Sequence, residues 1–503
     1  MKFYVDSLKN VSDKNCVVLE KDDWDDWFRF ETKYYAYYFD DTGERIDLGG
    51  VKIGQVNMKE GQRTASIPSK FYELSEDYFS LGQSDYYYEN IKNLGDQVRQ
   101  DILNGLNDVA YDLTRFKNIK NLDVTKVSLM REISEFTITQ QFYRIAQGKA
   151  RLTEHNIEYT YPSQYMDEPP TLSFKVVPNS NPPTNIHVII GRNNVGKTYL
   201  IKSIIKSVYA ESGEYEYGRL RSSNSLTGRM NLANRKQAFA NILCVSFSPF
   251  DNYNDVKKFT NDKPTMPFQY IGLGNTNISE TLNESFVNSL LHCQKSERKI
   301  ELLLKAIEVL ETDPIFERSN IRSLIKITKD NMDENFRVEA SELFKKLSSG
   351  HQVIILTLTR LIECIVEKSL VILDEPENHL HPPLLSAFIR ALSDLLIDQN
   401  GVALIATHSP VILQEVPRSC VWKINRNGFK VTISRLDIES FGSTIGALTR
   451  EVFGLEVSKS GFHKMIEDEV NSGKSYDEII ECFNNELGDE ARALLSTLIM
   501  LKQ

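Results

Sequence analysis

Short apolar runs without polar alternation recur in the second half of the chain, at 186–190, 240–247 and 370–373 and in a run from 402 that ends at His408. They read as buried strands. Between them the spacing becomes helical. Leu200, Ile201, Ile204, Ile205 and Val208 share one face. So do Leu384, Leu385, Phe388, Ile389, Leu392 and Leu396, in a segment that starts at Pro382-Pro383 and runs to about 398. Residues 353–366 are apolar on most faces and too long for a strand, which predicts a buried helix. Residues 280–346 read as mostly helical, as at 299–311 and 338–346.

The first third has a different texture. Residues 1 to about 82 are dense in aromatic and β-branched residues and punctuated by Gly43, Gly49, Gly50, Gly54 and Gly61, which predicts a β-rich region. Helices are expected over 84–118 and 126–147, the second closed by Gly148. Strands at 157–161 and 171–177 flank a loop with Pro162 and Pro169-Pro170, and 421–424 with 429–433 suggests a hairpin. The expected organisation is a β-rich then helical region at 1–160, a core at 161–435 with a helical lobe at about 275–346, and a mostly helical tail at 436–503. Region 1–160 is either separate or part of the core. Asp85-Tyr86-Tyr87-Tyr88 could stack bases, but a core tyrosine cluster is the plainer reading. The Trp24 and Trp27 stretch likewise reads as an edge with its rings turned inward rather than a partner surface.

Charge and composition narrow the classes. Fifty-nine basic against 69 acidic residues give a net charge of −10, which argues against a chain coated in basic surface for DNA. One tract departs from this balance: 217–250 has no acidic residue and carries Arg219, Arg221, Arg229, Arg235 and Lys236. It is the candidate contact for nucleic acid or an acidic partner, against a plain basic loop. No apolar run reaches the roughly 18 residues of a membrane span, and no signal core opens the chain. The six cysteines form no C-x-x-C and several sit in apolar surroundings, the usage of a reduced, cytoplasmic protein.

Phosphate chemistry is written in two places. Gly191-Arg192-Asn193-Asn194-Val195-Gly196-Lys197-Thr198 fits G-x-x-x-x-G-K-[ST], with a strand before it and a helix after. Later, Ser348, Ser349 and Gly350 open the buried helix, where free N–H groups and the positive dipole end favour an anion. The strand that follows ends in Asp374-Glu375. A carboxylate closing a buried strand can hold Mg²⁺, and the next one is placed to polarise a water. His379 and His381 have metal-ligand types near Glu375 and Glu377, but a metal there is the weaker reading.

This order of motifs resembles the ABC-type ATPases, and the chain is read as an α/β, ABC-type P-loop head. DEPENHLHP and ALIATHSP are similar to the branch of the RecF, OLD and SMC-like proteins. The tract VSFSPFD and the run from Ala406 to Pro417 look closer to ATPases of bacterial anti-phage systems, the Septu type above all. The likeness is strong over about 171–425. It implies ATP and Mg²⁺ as ligands. Gly191 and Asn193 to Thr198 would cradle the phosphates, with Lys197 on the β- and γ-phosphates. Thr198 and Asp374 would hold the metal, Glu375 would act as base, and His408 would contact the γ-phosphate or the attacking water. By the same resemblance Ser348, Ser349 and Gly350 would complete the site of a second copy, in a head-to-head dimer or higher homo-oligomer. The turn departs from the common S-G-G-Q, with Ser349 for a glycine and His351 for the glutamine. The glutamine usual after the 240–247 strand is missing, and Gln269 has no assigned role. No D-x-D follows His408, so a C-terminal TOPRIM nuclease is not expected.

The resulting expectation is an ATP-hydrolysing subunit of an anti-phage complex that controls a separately encoded nuclease. A RecF-like repair ATPase and an ATP-dependent scaffold with negligible hydrolysis are the rivals.

Overall fold

The computed structural model describes residues 1–6, 13–22, 29–56, 58, 62–162, 169–210, 216–223, 239–247, 253–263, 266–272, 278–325, 334–378, 380–427, 430–457 and 461–502. Two compact units divide the chain, Met1–Leu152 and Thr153–Gln503.

The first unit is built on a six-stranded sheet of β1 (Lys2–Val5), β2 (Cys16–Lys21), β3 (Lys33–Phe39), β4 (Arg45–Gln55), β5 (Lys70–Phe71) and β6 (Tyr78–Gly82), in the order β5-β1-β2-β3-β4-β6. In β3 the alternation of KYYAYYF buries Tyr34, Ala36 and Tyr38 and turns Tyr35 outward, the period-2 pattern of a sheet with one covered face. The helices Asp85–Asn93, Asp96–Gly105 and Leu113–Ile119 follow. Tyr87 and Tyr88 are buried, and the Tyr88 hydroxyl donates to Asp108 at 3.0 Å. The tyrosine run is therefore core; only Tyr86 is exposed. The helix expected over 126–147 is not continuous. It is broken into π-type turns at Thr125–Leu129 and Thr137–Phe142 and a last turn at Tyr143–Ala146. Ser134 Oγ takes the Thr137 N–H at 3.0 Å and Thr139 Oγ1 donates to the Glu135 carbonyl, so side chains compete for the backbone groups a regular helix would use. Trp24 and Trp27 lie outside the described residues.

The second unit holds a three-stranded antiparallel sheet and a seven-stranded, mostly parallel one. The first comprises β7 (His155–Thr160), β8 (Thr171–Val176) and β10 (Arg219–Ser223). The second has the order β12 (Phe268–Gly272), β11 (Ile242–Ser246), β13 (Leu370–Asp374), β14 (Val402–Thr407), β9 (Ile186–Gly191), β15 (Val421–Asn427) and β16 (Lys430–Ser434), with only β16 antiparallel. Strands β9, β11, β13 and β14 are buried along their whole length, because helices cover both faces. On one face lies Lys197–Tyr209, with Leu200, Ile201, Ile204 and Ile205 in the core. On the other lie Ser349–Cys364, Pro382–Asp398 and the lobe helices Ile278–Cys293, Glu297–Leu310 and Glu334–Lys346.

The register brings one edge of this sheet together. Asp374 is level with Ser246 and with Ala406, Thr407 with Ile190, and Ile424 with Gly191. Ser246, Asp374, Thr407 and Gly191 close their parallel strands, at the edge where open α/β sheets bind ligands. The tail forms four helices, Ile445–Val457, Gly461–Asn471, Tyr476–Cys482 and Asp489–Lys502, and the last three share a small core around Ile466, Ile479 and Leu495. No helix among the described residues is long and apolar enough to cross a membrane.

Candidate functional site

The loop between β9 and the helix Lys197–Tyr209 is shaped by two left-handed residues, Asn194 at φ 63° and Gly196 at φ 99°. A turn of this kind directs successive N–H groups to one side and makes an anion cradle. A Cβ on Gly196 would meet nothing within 4 Å, so backbone conformation, not space, requires glycine there. At Gly191 the constraint is space: a Cβ would lie 2.5 Å from the Ile424 carbonyl oxygen on β15. Lys197 is only 5% exposed, and its Nζ donates to the carbonyls of Gly191 (3.1 Å) and Arg192 (3.0 Å). Burial pushes its ammonium below the ordinary lysine range, and the carboxylates of Glu375, Glu377 and Asp374 oppose that shift without cancelling it. Asn193 and Asn194 are exposed, Val195 is buried, and Thr198 stands partly buried in the first helical turn.

Asp374 ends β13 at 1% exposure, and its Oδ2 accepts a hydrogen bond from the Tyr253 hydroxyl at 2.8 Å. Glu375 turns the chain sharply. It adopts φ 48°, a conformation that costs a non-glycine residue about 1–3 kcal/mol, and its N–H donates to the Ala406 carbonyl at 2.9 Å. The turn sets the Glu375 carboxylate 3.8 Å from Lys197 Nζ and 3.7 Å from His408 Nδ1. Glu377, nearly buried, holds the end of β14. Its Oε1 accepts from Thr407 Oγ1 (2.6 Å) and the His408 N–H (2.8 Å) and lies 3.2 Å from His408 Nδ1.

Ser348 caps the helix Ser349–Cys364 in extended conformation, with Ser348 and Ser349 exposed and Gly350 buried. The side-chain partner of Ser348 is His351, Oγ to Nδ1 at 2.6 Å. The sequence-predicted residues thus fall into two groups. One is gathered at the sheet edge, with Lys197, Asp374, Glu375 and His408; the other is the turn at Ser348, whose hydroxyl meets His351.

Residues 227–414 match the family described as "AAA domain, putative AbiEii toxin, Type IV TA system". Protein ea59 of Escherichia phage lambda is 38% identical over 508 residues, covering 97% of this chain and 95% of that protein. The chain belongs to the ea59 family. Among solved structures, the ADP conformation of an ATP-binding cassette of an ABC transporter aligns with 61% of this chain and 99% of its own, at 15% identity and a TM-score of 0.32. The SMC head domain from Thermotoga maritima aligns with 56% and 99%, at 13% identity and a TM-score of 0.28. This member of the ea59 family thus has an α/β fold, an AAA-domain match over 227–414, and a phosphate-loop turn at Gly191–Thr198 ahead of it.

Several side chains in this ea59-family site escape a linear reading. Tyr253, a few residues past the β11 strand, reaches Asp374 with its hydroxyl; Gln269 is exposed on the edge strand β12. A hydroxyl-bearing residue just beyond VSFSPFD was the signal available. Glu377 was visible only as a neighbour of Glu375 and His379. His381 does not meet Glu375 or Glu377: Glu377 faces Thr407 and His408, and His381 Nε2 lies 3.5 Å from Asp313 Oδ2. His379 lies outside the described residues, as do Arg229, Arg235 and Lys236 of the basic tract. Arg219 and Arg221 are on β10, paired with Thr160 and Glu158, and both are half-buried.

The cradle, the buried cation and the buried strand-end carboxylate have the donor and acceptor types that a nucleotide triphosphate with Mg²⁺ requires.

Proposed function

We propose that the chain binds ATP with Mg²⁺, hydrolyses it, and does so with two copies closed around the nucleotide. The observation that carries this is the meeting of Lys197, Asp374, Glu375 and His408 at one sheet edge, with the Glu375 carboxylate 3.8 Å from Lys197 Nζ and 3.7 Å from His408 Nδ1. In this reading Lys197 and the N–H groups of residues 194–198 hold the β- and γ-phosphates. Thr198 and Asp374 hold the Mg²⁺, which when bound supplies positive charge against the phosphate oxygens. Glu375 takes the proton of the attacking water. His408, braced by Glu377, contacts that water or the γ-phosphate. The Ser348-Ser349-Gly350 helix end of the second copy presents its N–H groups to the same nucleotide.

The wider reading is a cytoplasmic control subunit for a separately encoded nuclease in anti-phage defence. It is supported by the resemblance of the DEPENHLHP and ALIATHSP stretches to such ATPases and by the toxin named in the matched family's description. Nucleic acid is contacted, on this reading, through Arg219, Arg221, Arg229, Arg235 and Lys236.

The test is Lys197→Ala in the full chain, with labelled-ATP binding, phosphate release and plaque formation measured together. Binding, hydrolysis and protection should all be lost. Unchanged ATP affinity would overturn the phosphate-loop assignment, hydrolysis lost with protection intact would overturn the link between ATPase and protection, and no protection by the unmodified chain would overturn the defence role.

A further inference from the structure

We propose that Asp313, His351 and His381 bind one first-row transition-metal ion of the zinc class, at a site separate from the nucleotide's. One ligand atom from each lies within 4.8 Å of the other two. His351 Nε2 is 3.1 Å from Asp313 Oδ1, and His381 Nε2 is 3.5 Å from Asp313 Oδ2. Tetrahedral Zn²⁺ with bonds of about 2.1 Å sets its ligand atoms roughly 3.4 Å apart; His381 Nε2 stands at about that spacing from Oδ2, and His351 Nε2 meets the other oxygen of the same carboxylate. Two imidazoles and one carboxylate suit zinc or cobalt, and the set is poor for the hard Mg²⁺.

Each ligand is held by something else. Asp313 caps the helix Pro314–Ser319, with Oδ1 accepting the N–H groups of Ile315 (2.8 Å) and Phe316 (3.4 Å), while Oδ2 faces His381. His351 is 2% exposed, packs on Phe316 with ring centroids 4.9 Å apart, and meets Ser348 Oγ through Nδ1. With a metal on Nε2, Nδ1 carries the proton and donates to Ser348, the outer contact that fixes a ligating imidazole. His381 is half-exposed and free to adjust. Its Nδ1 now takes the Leu384 N–H at a long 3.4 Å, a contact that metal binding at Nε2 gives up. Among the described residues, the ion-pair partners of Asp313 are these two histidines and no lysine or arginine.

The ion joins three segments, the cap of Pro314–Ser319, the first turn of Ser349–Cys364 and the start of Pro382–Asp398. Through Ser348 it fixes the turn that the proposed head pair uses, but its binding does not depend on that reading. The test uses the full-length, tag-free chain, stripped with chelator and kept in millimolar Mg²⁺ without nucleotide. Zn²⁺ is counted by mass spectrometry after gel filtration, and Co²⁺ is followed by its visible absorption. One ion per chain is expected, with affinity lower by roughly tenfold or more in His381→Ala, whose exposed ring makes misfolding no issue, and in Asp313→Asn. His379→Ala should bind as the unmodified chain does. Stoichiometry well below one, or binding lost in His379→Ala and kept in His381→Ala, would overturn the site.

Discussion

Glu377 shows how a single side chain sets the site without being an obvious catalytic group. It accepts from both Thr407 Oγ1 and the His408 N–H, so it fixes the strand end from which His408 projects. Removing it leaves two buried donors without an acceptor, at about 1–3 kcal/mol each. Glu377→Ala should lower kcat by roughly 10-fold or more with ATP affinity unchanged, and Glu377→Gln, which keeps an acceptor, should restore most of it. A loss of ATP affinity equal to the loss of kcat would show that the residue only holds the fold. Tyr253→Phe removes the hydroxyl on buried Asp374 and should destabilise the chain by about 1–3 kcal/mol, read as a lower denaturation midpoint. An unchanged midpoint would make that bond incidental. Lys197, Asp374, Glu375 and His408 were legible because the strand and turn signals around them are local. Tyr253, Glu377 and Asp313 were not, since their partners are 121, 30 and 38 residues away and the left-handed Glu375 decides which carboxylate faces His408.

At the scale of elements, the buried parallel strands were readable because both faces must be apolar, and the helix Ser349–Cys364 because its length excludes a strand. The broken helix after Thr125 was not, because side-chain hydroxyls compete locally for its backbone groups. Strand β9 carries one polar exception, His187, fully buried with no hydrogen-bond partner on either ring nitrogen. Burial, with a smaller push from Arg435, lowers it to about 3. Below its usual range near 6.5 the unfolded chain takes up a proton that the folded one refuses. Its share of stability is therefore full above about 6.5, falls by about 1.4 kcal/mol per pH unit on acidification, and levels off below about 3. His187→Leu should flatten that limb of the unfolding midpoint against pH. An identical acid limb in the variant would show that other groups set it.

For the whole molecule, the first compact unit and the tail carry no strong motif of their own; the division falls at 152/153, where the sequence suggested 160/161, because the strand His155–Thr160 pairs within the second unit. The central claim concerns two copies. On the proposed reading each chain supplies two half-sites, the Ser348 turn and the sheet edge where the phosphate loop, Asp374 and Glu375 gather. The most direct measurement is a cross-link through a cysteine at Asn378, next to Glu375 and Glu377, in a Glu375→Gln background where hydrolysis should fall by roughly 10²-fold. The account predicts that the cross-link forms with ATP, is weak without it, and disappears when Gly350→Asp is added although ATP still binds. Equal cross-linking with and without ATP, in the single and the double variant alike, would contradict it.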